Sequence, residues 1–148
     1  MEWTVRRALA DEDRTVGDIF LAARARMPYL PRVHTDDDTR EYFAELVATV
    51  DTWVGGTAGD EVRGFAIASE QCLEHLYVDP SAQRLGLGGA LLDHVMAERP
   101  AGFTLWTFQE NVGACHFYER AGLRVVRLTD GRDNEEHVPD VLDQWQPA

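Results

Sequence analysis

Residues Gln83–Val95 read QRLGLGGALLDHV and follow the stretch LEHLYVDP, residues 73–80. Gly86, Gly88 and Gly89 crowd the entry of a segment in which Leu87, Leu91 and Val95 recur at helical spacing, with Leu92 and Met96 beside them. The first amides of a helix lack acceptors and its dipole is positive there, so small residues at that entry suit a bound anion. Three phosphate-binding schemes compete. A P-loop needs a lysine after its glycines, and all 14 basic residues here are arginine. A dinucleotide fingerprint fits poorly, because Leu91 stands where the third glycine belongs. The scheme Q/R-x-x-G-x-G/A is met by Gln83, Arg84, Leu85, Gly86, Leu87 and Gly88, with Gly89 and Ala90 continuing the small-residue run. The plain alternative is a tight strand-to-helix turn.

The rest of the chain supplies the frame. Trp3 to Leu9 alternates like a strand; Val16, Ile19, Phe20, Ala23 and Met27 have helical spacing, with Asp11 to Asp13 as capping groups and Pro28 and Pro31 as the stop. A second helix is expected after His34, Thr35 and the triplet Asp36–Asp38, with Phe43, Leu46, Val47 and Val50 on its buried stripe. DTWVGGT and VRGFAIAS flank AGDE, a hairpin signal, and QCLEHLYV adds a third strand that ends at Asp79-Pro80. Beyond the glycine helix come a strand GFTLWTF, a helix NVGACHFYERAG, and strands LRVVRL and PDVLDQWQ joined by TDGRDNEEH. The strands flanking the glycine helix must be parallel neighbours or nearly so. The expectation is one α/β (mixed α+β) domain over residues 1–148, with a central mixed sheet of about seven strands and helices on both faces.

In the second helix-forming motif, Asn111, Ala114, Phe117, Tyr118, Glu119 and Gly122 follow N-x-x-A-x-x-F-Y-E-x-x-G. Ala114, Phe117, Tyr118 and Ala121 share one face, which suits either a groove for a ligand or ordinary core packing. With both motifs in this order, the chain resembles the Gcn5-related N-acetyltransferase (GNAT) superfamily over nearly its whole length. That resemblance implies a GNAT-like fold, acetyl-coenzyme A as acyl donor and transfer to an amine. It also implies that Leu76, Tyr77 and Val78 meet the pantetheine amides and that Gln83 to Ala90 hold the pyrophosphate. By the same resemblance, Asn111, Ala114 and Phe117 lie along the coenzyme arm, and Tyr118 is the acid to the departing thiolate. A thiol near pKa ~8.5 and a phenol near ~10 make that transfer nearly balanced. A backbone amide near Leu76 or Tyr77 is the expected donor to the carbonyl oxygen. Arg84 or Arg120 is placed to meet the remaining phosphate, or else is a solvated arginine.

An ammonium must lose a proton before it attacks. Alternation places Glu74, Leu76 and Val78 on one face and Leu73, His75 and Tyr77 on the other, which favours Glu74 as base over His75. Tyr29, His34, Trp106, Glu135, Glu136 and Asp140 would line an acidic, aromatic cup for a cationic acceptor, a small-molecule amine in the first reading and a protein amine in the second. A non-catalytic acyl-coenzyme A sensor is the rival from another class. Cys72, His75, Cys115, His116 and His137 lack metal-binding spacing, so no metal is expected.

The net charge of -12 opposes nucleic acid and anionic membranes as partners. The first residues lack a secretory pattern, no apolar run approaches a bilayer span, and Cys72 and Cys115 have no paired spacing. A cytoplasmic protein with reduced thiols is expected. An exposed sheet edge or the first helix pair would be the route to a homodimer.

Overall fold

Thr35 opens the second helix by accepting the Asp38 amide at 3.1 Å, with Asp36, Asp37 and Asp38 at the positive end of the helix. This local chemistry recurs along the chain, and the computed structural model, which describes residues 2–57 and 61–147, reproduces the expected order of elements. That order is β1 (Thr4–Arg7), a 3-10 turn (Ala10–Glu12), α1 (Asp13–Arg24), α2 (Asp36–Thr49), β2 (Asp51–Gly56), β3 (Val62–Ala68) and β4 (Leu73–Val78). A second 3-10 turn (Pro80–Ala82), α3 (Leu87–Glu98), β5 (Phe103–Phe108), α4 (Val112–Arg120), β6 (Arg124–Leu128) and β7 (Asp140–Trp145) complete it. The AGDE hairpin signal falls on residues 58–61, of which 58–60 lie outside the described residues.

Two boundaries differ from the sequence reading. α1 ends at Arg24, before either proline, so Met27 lies in the following turn and not on the helical stripe. Asp11 and Glu12 belong to the 3-10 turn, and no side chain caps α1.

The seven strands are divided between two antiparallel sheets, ordered β1-β2-β3-β4 and β5-β7-β6. The sheets meet at a single parallel bridge between Cys72 and Thr104 among the described residues. Past that bridge, the edge of β4 that faces away from β3 has no strand partner.

Helices cover both faces of the first sheet. Trp53, Ala66 and Ala68 join Leu87, Leu91, Leu92 and Val95 in one buried cluster, and Tyr118 belongs to it. Val54, Phe65 and Ile67 pack on the opposite face with Val16, Ile19 and Phe43 of α1 and α2. The seat of α3 is made by glycine. Gly55 and Gly64 are cross-strand partners, and a Cβ on Gly55 would stand 2.7 Å from Leu87 Cδ1. A Cβ on Gly64 would meet Leu87 Cδ2 at 3.0 Å and Leu91 Cδ1 at 3.1 Å. The flat spot lets both leucines reach 0 % exposure. Each such burial contributes about 1.5–3 kcal/mol.

β4 is not a regular strand. Ile67 pairs with His75 and Ala68 with Leu73, so Glu74 is the extra residue of a bulge. The expected alternation therefore fails at Glu74. Leu73 packs in the α3-side cluster with Leu76 and Val78, whereas Tyr77 packs on the α1 and α2 side.

β6 forms an open edge on which Val125, Val126 and Leu128 are exposed. Arg124, Arg127 and a register shift between Val125 and Arg127 interrupt this apolar edge, features that discourage strand addition. Replacing Gly55 with valine should overpack the seat of α3 and lower stability by about 1–3 kcal/mol in urea unfolding.

Candidate active site

The turn before α3 takes its shape from two left-handed residues, Arg84 at φ 65° and Gly86 at φ 93°. Gly86 is the N-cap of α3, and no side chain caps the helix. The Ala90 amide already donates to the Gly86 carbonyl at 3.1 Å, so the amides left without an intrahelical acceptor are those of Leu87, Gly88 and Gly89. This removes Ala90 from the expected set of amide donors. A Cβ on Gly89 would meet nothing within 4 Å, and one on Gly88 would meet Phe117 Cζ only at 3.6 Å. The side-chain positions of Gly88 and Gly89 are therefore free of close neighbours. That arrangement fits a pyrophosphate: bare donors, a positive helix end and no neighbouring carboxylate cap.

Other loop residues have structural duties. Gln83 Nε2 donates to the Val78 carbonyl at 3.1 Å, tying the turn to the end of β4. The Leu87 side chain is sunk in the core, so only its backbone is available, while Arg84 and Leu85 are exposed. Arg120 is exposed at the end of α4, and neither it nor Arg84 makes an ion pair among the described residues.

α4 carries the second motif to the same place. Asn111 caps it by accepting the Ala114 amide at 3.1 Å, which engages the side-chain oxygen of a residue expected to lie along the coenzyme arm. Ala114, Phe117 and Ala121 pack against the α3-side core, and the Tyr118 ring is within it. Phe117 lies beside Tyr118 with ring centroids 5.1 Å apart. Burial drives the Tyr118 phenol well above its usual range, helped by Tyr77 and the buried Asp143. The hydroxyl makes no hydrogen bond among the described residues. Neither cysteine is activated: burial raises the Cys115 thiol, and burial with Glu74 raises Cys72 to about 11.

On the opposite face of β4 is a cavity of about 780 Å³, walled by α1, the α1–α2 connection, α2, His75, Glu135 and Glu136. His75 Nε2 is 2.9 Å from the Tyr42 hydroxyl, and the ring is surrounded by Phe20, Phe43 and Tyr77. Burial, with the nearby Arg24 charge, lowers the imidazole to about 4, so it is neutral at physiological pH. Arg24 lies over the Phe20 and Phe108 rings and bonds Glu136 at 3.0 Å. His34 pairs with Glu135. The Arg24–Glu136 ion pair and the His34–Glu135 hydrogen bond fasten the NEEH segment of the β6–β7 connection to α1 and to the α1–α2 connection.

The expected cup is thus split. His34, Glu135 and Glu136 line this cavity, whereas Trp106, Glu136 and Asp140 line a second one of about 420 Å³. Asp140 there is engaged by Thr129 and by Asn134. Tyr29 lines neither cavity; its ring meets Phe108 edge-on, and its hydroxyl is buried without a partner. Glu74 is exposed, accepts from Ser69 Oγ at 3.2 Å and is absent from the cavity wall that His75 helps to form. The sequence reading missed Phe20, Arg24 and Tyr42 as site residues. Only their helical spacing was visible, and nothing in it indicates which β4 residue faces them. No group of three or more His, Cys, Asp or Glu among the described residues is arranged to hold a metal ion, and no helix is long and apolar enough to cross a membrane.

This geometry agrees with what the chain is similar to. Residues 40–124 match the family described as acetyltransferase (GNAT) domain. The peptidyl-lysine N-acetyltransferase YjaB of Salmonella typhimurium (strain LT2) is 27% identical over 102 residues, covering 69% of this chain and 70% of that protein. Its Escherichia coli K12 counterpart is 28% identical over 108 residues, covering 73% of this chain and 70% of its own. Among solved structures, apo-form YjaB from Escherichia coli superposes with a TM-score of 0.80 at 21% identity, covering all of both chains (100% and 100%). The acetyltransferase yncA of Salmonella typhimurium, solved with its cofactor acetyl-CoA, gives 0.77 at 18% identity over 99% of this chain and 94% of its own. The chain belongs to the GNAT acetyltransferase family and is an acyltransferase.

Proposed function

We propose that this enzyme transfers an acetyl group from acetyl-coenzyme A to the primary amine of a small molecule by direct attack in a ternary complex. One observation carries the reading: β4 lies between the uncapped amides that start α3 and a cavity lined by the neutral imidazole of His75. Bound acetyl-coenzyme A would supply the acetyl group as a thioester. The amides of Leu87, Gly88 and Gly89 would hold its pyrophosphate, and the unpaired edge of β4 would receive the pantetheine arm.

The cavity suits an amine acceptor. Asp38, which makes no ion pair among the described residues, offers a carboxylate to an ammonium, and Phe20, Tyr42 and Phe43 offer rings, while Asp36, Glu135 and Glu136 are engaged by Arg32, His34 and Arg24. His75 is better placed than Glu74 to take the proton. With Nε2 bonded to Tyr42, the proton passes to the ring through that hydroxyl. The nitrogen grows more acidic as it is acylated, so a ring made less basic by burial still accepts it. Tyr118 would serve at the other end as proton donor to the departing sulfur; burial keeps its phenol protonated and also makes it a weaker acid than a free phenol, so the transfer is less balanced than the ordinary values give. With neither thiol activated, a covalent acyl-enzyme has no support.

The Arg24–Glu136 and His34–Glu135 contacts, both in the lining, fix part of the cavity wall, which favours a small acceptor. The second reading, a lysine side chain of a protein, is favoured by the YjaB relatives, which are peptidyl-lysine N-acetyltransferases. A panel of free amines and lysine peptides, with thiol release as readout, separates the two. Turnover of free amines supports the first reading, and turnover of peptides alone overturns it. Tyr118→Phe should lower kcat by about 100-fold or more with coenzyme A affinity unchanged.

The buried imidazole also has a stability consequence. Its folded pKa of about 4 lies below the unfolded value of about 6.5, so the unfolded chain binds more protons between them. Stability from this group is complete above pH ~6.5 and is lost as pH falls toward 4. Denaturant titrations over this window should show that slope in the wild type and a flatter one in His75→Gln. Glu12, Asp51 and Asp79, all held below their usual range, add their losses only at lower pH.

A further inference from the structure

We infer that Trp3 is a positioning residue for the coenzyme: its indole N–H fixes the Leu85–Gly86 peptide so that the Gly86 amide is turned toward the anion site. The inference rests on the proposal that the turn before α3 holds the coenzyme pyrophosphate.

Trp3 Nε1 donates to the Leu85 carbonyl at 2.8 Å, a contact spanning 82 positions of sequence. The accepting peptide lies between the left-handed Arg84 and Gly86. Glycine permits rotation about its own φ that other residues resist, so this peptide is the most easily reoriented unit of the turn. A trans peptide is planar, with its C=O and N–H pointing in opposite directions. Holding the Leu85 oxygen against the indole therefore directs the Gly86 N–H away from it. A left-handed residue among right-handed neighbours gathers successive amides into an anion-binding concavity, and the Leu87, Gly88 and Gly89 amides follow immediately.

The donor is itself well placed. Trp3 immediately precedes β1, where Thr4 pairs with Gly56, next to the Gly55 that seats Leu87. Its ring packs against the α3-side core. One short piece of β2 thus locates both the helix and the side chain that braces the turn before it. The indole also stands 3.6 Å from where a Gly86 Cβ would be, so it lies alongside the glycine without excluding a methyl group. The left-handed φ is what demands glycine there.

The test is titration calorimetry of wild type and Trp3→Phe with coenzyme A and with pantetheine, which lacks the pyrophosphate. Loss of one hydrogen bond that holds the donor geometry should raise the coenzyme A Kd about three- to tenfold. The pantetheine Kd, the KM for the amine and kcat at saturating acetyl-coenzyme A should stay unchanged. If Trp3→Phe folds poorly, benzothienylalanine at position 3 keeps the ring shape and removes only the N–H. An unchanged coenzyme A Kd in a folded variant overturns the inference, as does equal weakening of both ligands, which would mean lost packing. If wild type itself binds pantetheine as tightly as coenzyme A, the pyrophosphate reading fails first, and the role of Trp3 falls with it.

Discussion

The contact on which the site depends is the descent of Leu87 and Leu91 onto the paired glycines Gly55 and Gly64. Any side chain at either glycine would lift the start of α3. Because helix amides have fixed directions, lifting the helix would carry the three uncapped donors with it. The buried leucines therefore set the position of a polar site through apolar contact alone, and the glycines that permit this lie more than twenty residues upstream in the chain.

The second constraint is the bulge at Glu74. A regular strand would present Leu73, His75 and Tyr77 on one face. The extra residue lets Leu73 fill the α3-side core while His75 and Tyr77 still face α1 and α2. The uncapped amides of α3 and the cavity beside His75 then lie on opposite faces of one strand. The parallel contact at Cys72 and Thr104 brings β5 to that strand without pairing it further among the described residues. Hydrogen-bonding capacity on the β4 edge is left over where a coenzyme arm would need it.

Much of this was legible in the sequence. The glycine turn, the order of elements, the Asp36–Asp38 helix start and the Asn111 cap are local signals, and local chemistry determines them. What was not legible depends on tertiary contacts. The bulge reversed the expected facing of Leu73, and no periodicity reveals an inserted residue in a strand of six. The acceptor cup was read as one cluster because Trp106, Asp140 and Glu135 are all polar-edged candidates in nearby segments. The sheet places Trp106 and Asp140 in a separate cavity that shares only Glu136 with the first. Trp3 was read as the start of a strand, since a hydrogen bond across 82 positions leaves no pattern in either partner.

The cations that hold the cavity beside His75 and the sheet are guanidinium groups: Arg24 on Glu136, Arg32 on Asp36, and Arg7 and Arg99 on Asp51. A guanidinium stays protonated at any working pH and has no free electron pair with which to attack a thioester. With arginine at every basic position, the enzyme's own side chains offer no ε-amine for self-acylation. Its ion pairs are consequently immune to the reaction it catalyses, and their charges persist however much acyl donor accumulates around them.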